Sequence, residues 1–212
     1  MPKRTPEEEK TRFEGLLLRE RELREEGYLH IAGVDEAGRG PLAGAVYAAA
    51  VILPDDIFIA GLDDSKKLSE KKRELLYDEI CEKAISYSIA YATESEIDEI
   101  NILNATHLAM NRAVEGLKIP ADYCIVDGNS IKNMTVPHET MVKGDAKSAS
   151  VAAASILAKV TRDRYISELS EKYPEYGFEK HKGYGTKAHT DAILEYGVLP
   201  IHRKSFLKKL LK

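Results

Sequence analysis

Asp35 and Glu36 are adjacent carboxylates at the end of a short apolar run, His30-Ile31-Ala32-Gly33-Val34, and Gly38-Arg39-Gly40 follows them at once. Acid, then bare backbone, then a fixed cation is the order a metal-dependent phosphodiester site needs. On a regular strand successive side chains point to opposite faces, so the two acids face one metal only where the strand ends or bulges. Glycine at 38 and 40 supplies that departure. Without Cβ atoms the peptides of Gly38 and Gly40 can lie against a substrate and read a hydroxyl, while Arg39 can hold a phosphate with its planar fork. An acidic strand end running into a Gly-Pro turn accounts for the same residues equally well.

Two further acids stand at element boundaries. The apolar run Tyr123-Cys124-Ile125-Val126 emerges into Asp127-Gly128-Asn129, and Lys143-Gly144-Asp145 leads into a long helical run rich in Ala and Ser. By itself the first is ordinary turn chemistry and the second an ordinary N-cap. The small-residue surface of the following helix permits close packing on a sheet, which would carry Asp145 toward the strand ends. All-oxygen ligands suit Mg²⁺ or Mn²⁺, and no tight His/Cys ligand cluster points to zinc. Four carboxylates can bridge two such ions about 3.5 to 4 Å apart, an arrangement for phosphodiester hydrolysis. Ser65 and Lys66 stand where they can touch a phosphate, although a capped loop with a solvated lysine pair serves as well. Tyr184, between Gly183 and Gly185, can stack on a sugar or base, or pack as a corner. His107 on a mostly apolar helix receives no metal assignment.

The elements that must position these groups alternate in type. Residues 5–26 read as one helix with a cap at Thr5 and Pro6, an appendage on the body. Strands are expected at His30 to Asp35 and, antiparallel to it, Ala45 to Leu53. A helix near Glu70 to Lys83, a strand at Ser86 to Thr93 and a helix from Glu94 to Leu117 broken near Asn101 follow. Thr161 to Tyr165 reads as a solvated face with one aromatic anchor, and Pro200 onward as a basic C-terminal helix. At 212 residues, 43% hydrophobic and 31% charged, the chain is globular rather than disordered. The longest apolar run, Leu42 to Leu53, falls short of the roughly 20 residues that span a bilayer, and the charged N-terminus argues against export. Cys81 and Cys124 read as buried free thiols of a reducing compartment. Net charge is −4, but residues 178–212 carry 8 basic and 3 acidic side chains while residues 29–177 carry 16 and 24. An acidic centre beside a basic rim fits a phosphate-rich partner, as does a merely solvated basic tail.

From about Tyr28 to Phe206 the chain closely resembles type 2 ribonuclease H, specifically bacterial ribonuclease HII. The resemblance rests on an ordered set of motifs: Ile31 to Gly44, Asp64-Ser65-Lys66-Lys67-Leu68-Ser69, Val126-Asp127-Gly128, Lys143-Gly144-Asp145, Ala152 to Asp163, and His181-Lys182-Gly183-Tyr184-Gly185-Thr186. It implies an RNase H-like α/β fold, a central mixed sheet flanked by helices with a helical C-terminal part. An N-terminal helical extension over 1–27 would precede a catalytic domain over 28–212. It implies a metal set of Asp35, Glu36, Asp127 and Asp145 holding two Mg²⁺ or Mn²⁺ ions. The ribose 2′-hydroxyl sensor falls on Gly38, Arg39 and Gly40, a tyrosine at the RNA-to-DNA junction on Tyr184, and a backbone-contacting loop on Ser65 and Lys66. The implied partners are RNA/DNA hybrid and duplex DNA bearing single ribonucleotides, cut 5′ of the ribose. A cytoplasmic monomer with no membrane contact is expected. The sister enzyme ribonuclease HIII characteristically carries a large N-terminal domain, a threonine where Arg39 stands and a glutamate as last metal ligand, which this chain does not match. A non-catalytic hybrid-binding module of the same fold is the other alternative.

Overall fold

A computed structural model describes residues 5–211, so residues 1–4 and 212 of the two expected segments lie outside the described residues. The N-terminal helix is two: α1 (Pro6–Leu16) and α2 (Leu18–Glu25), which meet at Leu17. Thr5 opens α1 with a complete capping box to Glu8, and Phe13, Leu16 and Leu17 are buried in the same apolar cluster as the sheet.

Five strands form one mixed sheet: β1 (Ile31–Ala37), β2 (Val46–Ile52), β3 (Ser86–Ala92), β4 (Tyr123–Asp127) and β5 (His138–Met141), in the order β3-β2-β1-β4-β5. The β1–β2 and β2–β3 pairs are antiparallel, while β1–β4 and β4–β5 are parallel. β5 has no counterpart in the sequence reading.

Helices cover both faces. The helix α3 (Glu70–Lys83) begins at Ser69, whose hydroxyl accepts from the Lys72 amide. The helix α4 (Glu94–Glu115) covers the face of Ala32, Val34, Ala48 and Ala50, and breaks at Asn101, whose φ is 67°. The long α5 (Ala149–Lys172) lies on the opposite face. It sits so close to β1 that a Cβ on Gly33 would overlap the Ser150–Val151 peptide. The Ala/Ser run makes that approach possible, because few side-chain atoms separate the two backbones.

The C-terminal part consists of α6 (Phe178–His181), α7 (Lys187–Tyr196) and α8 (Lys204–Leu207) around their own apolar cluster. In place of the expected basic helix from Pro200, a single turn forms that starts only at Lys204, because Arg203 is extended, with its amide on Leu42 O and its side chain fully buried. The solvated face expected at Thr161 to Tyr165 is also corrected: Arg162 and Asp163 are buried. Cys124 is buried as expected, Cys81 is half-buried, and both are free. No helix among the described residues is long and apolar enough to cross a membrane.

Candidate active site

Carboxylate oxygens of Asp35, Glu36 and Asp127 lie within 4.8 Å of one another. By parity Asp35 shares a face with Gly33, toward α5, and Glu36 the other. Neither a bulge nor a full strand end brings the two together. β1 pairs with β2 through Ala37, but its ladder with β4 ends at Val34–Val126, which opens a notch at the carboxyl ends of the two parallel strands. The Asp35 carboxylate folds back along the strand and accepts the Glu36 amide at 2.7 Å.

Asp145 stands outside that tight trio but beside it. It lies in a 3₁₀ turn, Gly144–Ala146, instead of capping a helix; Ser148 caps α5. The turn is tied to the strand end, since the Gly144 amide donates to Asp127 Oδ1 at 2.6 Å. Asp145 is buried, with Asp127, Asp64 and Lys66 as its charged neighbours.

Electrostatics mark the cluster as short of positive charge. Burial pushes the Asp35 carboxyl well above the usual range, and the charges of Glu36 and Asp127 push it further. Burial raises Glu36 too, against the pull of Arg39, whose guanidinium lies 3.5 Å away. Asp145 is raised by burial, then by Asp64 and Asp127. Burial pulls Lys66 down, yet Asp145, Asp35, Asp64 and Asp127 together carry it upward. Crowded hard oxygen donors with raised carboxyls are the environment a divalent cation relieves, so the donor set fits Mg²⁺ or Mn²⁺.

Beside the acids opens a cleft of about 190 Å³, lined by Glu36, Gly38, Arg39, Ser65, Lys66 and Tyr184 among others. Gly40 faces the Tyr184 ring, which a Cβ there would approach to 3.3 Å. The tyrosine is 47% exposed. All ten candidate residues therefore fall in one region.

Several neighbours escaped the sequence reading. Ser155 of α5 joins Ser65 to Asp35: its hydroxyl lies 2.9 Å from that of Ser65 and hydrogen-bonds the Asp35 carboxyl. Asp64 caps the 3₁₀ turn Ser65–Lys67, and its charge bears on Asp145. Glu20 of α2 accepts from Ser148 Oγ at 2.7 Å, Ser150 N at 3.0 Å and Ser150 Oγ at 2.7 Å. The guanidinium of Arg162 packs directly under Gly38, whose φ of +98° excludes a side chain on conformation as well as space. Asp64, Ser155 and Arg162 stand inside the motifs that carry the resemblance, without a role of their own there, whereas Glu20 left no signal in the sequence.

The family model for ribonuclease HII matches residues 32–209. The chain belongs to the ribonuclease HII family. That makes it a hydrolase, a divalent-metal-dependent endonuclease of the ribonuclease H type. A ribonuclease HII of Caldicellulosiruptor saccharolyticus is 58% identical over 193 residues, covering 91% of this chain and 94% of that one. Among solved structures, ribonuclease H2 from Pyrococcus horikoshii OT3 superposes with a TM-score of 0.73 at 30% identity, covering 86% of this chain and 97% of that one. The ribonuclease HII of Archaeoglobus fulgidus, solved as a complex with PCNA, gives 0.68 at 27% identity over 82% and 94%. The expected fold, a mixed sheet flanked by helices, is the fold of these relatives.

Proposed function

We propose that this ribonuclease HII family member hydrolyses the RNA strand of RNA/DNA hybrids and also cuts 5′ of a single ribonucleotide embedded in duplex DNA, leaving 5′-phosphate and 3′-hydroxyl ends. The observation that carries the reading is the convergence of Asp35, Glu36 and Asp127 at one notch, with Asp145 beside it and a glycine-flanked arginine cleft alongside. Asp35, Glu36, Asp127 and Asp145 would hold two ions, Mg²⁺ or Mn²⁺. Such ions supply activation of the attacking water and neutralisation of the leaving 3′-oxygen.

The chain's own groups do the rest. The Gly38–Gly40 backbone reads the 2′-hydroxyl, the atom by which a protein tells RNA from DNA at one position. Arg39 and Lys66 offer cations to neighbouring phosphates, with Ser65 beside them. The half-exposed Tyr184 ring offers a stacking surface to the nucleotide at the junction.

The test is a labelled duplex with one ribonucleotide, incubated with Mg²⁺ or Mn²⁺. Incision on the 5′ side of the ribose is the expected outcome. Binding without incision would leave only a hybrid-binding module. Affinity should also fall steeply with salt, since phosphate contacts dominate it.

A further inference from the structure

The loop from Gly38 to Gly44 is held by one side chain from the far end of the chain. Arg203 is fully buried. It donates from Nη2 to the Gly38 carbonyl at 2.6 Å, from Nη1 to the Arg39 and Pro41 carbonyls at 2.9 and 2.8 Å, and from Nε to the Gly44 carbonyl at 2.9 Å. Its own amide donates to Leu42 O at 2.8 Å. No carboxylate among the described residues forms an ion pair with it, so its charge is solvated by carbonyl dipoles drawn from one loop. Burial, then the nearby Arg162, lowers its pKa to about 10. A buried charge persists only where its partners are fixed in number and direction, and a guanidinium fixes several donors in one plane.

The consequence lies on the opposite side of the loop. No peptide bond among the described residues is cis. In a trans peptide the carbonyl of one residue and the N–H of the next point in opposite directions. With the Gly38 and Arg39 carbonyls turned inward to Arg203, the N–H groups of Arg39 and Gly40 are turned away from it. Arg39 and Gly40 are both exposed, and neither amide has an acceptor among the described residues.

We propose that Arg203 is a positioning residue for ribose recognition: by taking the carbonyls of Gly38 and Arg39 it aims the amides of Arg39 and Gly40 at the 2′-oxygen of a bound ribonucleotide. The inference rests on the reading of Gly38–Gly40 as the ribose contact. It adds a residue that touches neither substrate nor metal ligand, and it names the two amides that do the reading. A lysine in its place keeps the charge but has no planar fork to reach four carbonyls.

The experiment uses the full chain, wild type and Arg203→Lys, on two duplexes identical except that one carries a single ribonucleotide and the other is all-deoxy. In the variant, kcat/KM on the ribonucleotide duplex should fall at least about tenfold while affinity for the all-deoxy duplex stays within about twofold, because only the ribose contact has been disturbed. Equal weakening on both duplexes, or unchanged kcat/KM on the ribonucleotide duplex, overturns the proposal. A second measurement needs no variant. In the metal-free wild-type protein, the amide resonances of Arg39 and Gly40 should move on addition of the ribonucleotide duplex and not on addition of the all-deoxy one. Identical responses overturn the proposal whether or not the variant folds. Wild-type protein that leaves the ribonucleotide duplex uncut defeats the proposed function itself, an outcome separate from either of these.

Discussion

The amide of Gly144 donates to Oδ1 of Asp127 across 2.6 Å, and so couples the turn that carries Asp145 to the end of β4. Asparagine at 127 keeps an oxygen that can accept this bond but loses the charge. Asp127→Asn should therefore fold with a melting temperature close to wild type, while its cutting rate falls at least about a hundredfold, the scale of losing one group that supports transition-state charge. Undiminished turnover would remove Asp127 from the site.

Arg39 is half-exposed and its only ion-pair partner among the described residues is Glu36 at 3.5 Å, so truncation removes little packing and one long contact to a carboxylate that a bound cation also serves. Arg39→Ala keeps the backbone and removes only a phosphate contact, so it should weaken affinity for ribose-containing and all-deoxy duplexes by a similar factor. Parallel binding curves on ribose-containing and all-deoxy duplexes decide the matter; a loss confined to the ribose-containing duplex would show that the side chain, not the backbone alone, reads the ribose.

Glu20 ties the N-terminal helices to the start of α5 through three hydrogen bonds to Ser148 and Ser150, three to five residues beyond Asp145. Glu20→Ala leaves those buried donors without their acceptor and should cost about 1 to 3 kcal/mol in chemical denaturation. Loosening the Asp145 turn should also raise the metal concentration needed for half-maximal rate. Glu20→Gln, which keeps an acceptor, should recover most of both.

The buried histidines of the C-terminal part predict a pH dependence. His202 Nδ1 accepts the Leu199 amide at 2.9 Å, which leaves its proton on Nε2 to donate to His189 Nε2 at 3.1 Å. His189 then presents its Nδ1 proton to the Tyr184 carbonyl at 2.9 Å. The arrangement works only with both rings neutral. Burial, then His189, holds His202 down at about 4, and burial lowers His189 as well. The folded state thus binds fewer protons than the unfolded chain between about pH 4 and the ordinary histidine value near 6.5. This contribution to stability is complete above that window and is lost as pH falls through it. The wild-type melting temperature should drop more steeply from pH 6.5 to 4 than that of His202→Gln; identical slopes would refute it.

Gly33→Ala tests the contact between β1 and α5. The added methyl meets backbone at Ser150–Val151, which has no rotamer by which to yield. Overpacking of this kind should cost about 3 kcal/mol, and activity should fall because β1 also carries Asp35. Wild-type stability in denaturant would show that the two elements separate easily.

The acids were legible for a local reason. Asp35 and Asp127 each follow an apolar run, with a glycine three residues on in the first case and next in the second, so the charge and the turn are written close together. Asn101 likewise marked its own helix break. β5 was not legible because His138–Met141 is four residues long and mostly polar, a strand created by its partner β4 rather than by its own pattern. Arg162 and Arg203 misled for the opposite reason. A charged residue in a charged neighbourhood reads as solvated, and the carbonyls that bury these two are distant in sequence and have no side-chain signature. Ser155, within an alanine-rich helix, looked like packing material because its partners Asp35 and Ser65 come from other elements.

The guanidinium of Arg203 reaches the carbonyl of Gly38 over a separation of 165 residues. During synthesis, at rates of roughly 5 to 20 residues per second, the interval between the two is on the order of 10 s or more. A nascent chain thus carries Asp35, Glu36 and Asp127 before it has the anchor for the loop beside them. If Arg203 aims the loop as proposed, the acids and the loop that chooses their target are completed at different times, and substitution of Arg203 would spare the first while releasing the second.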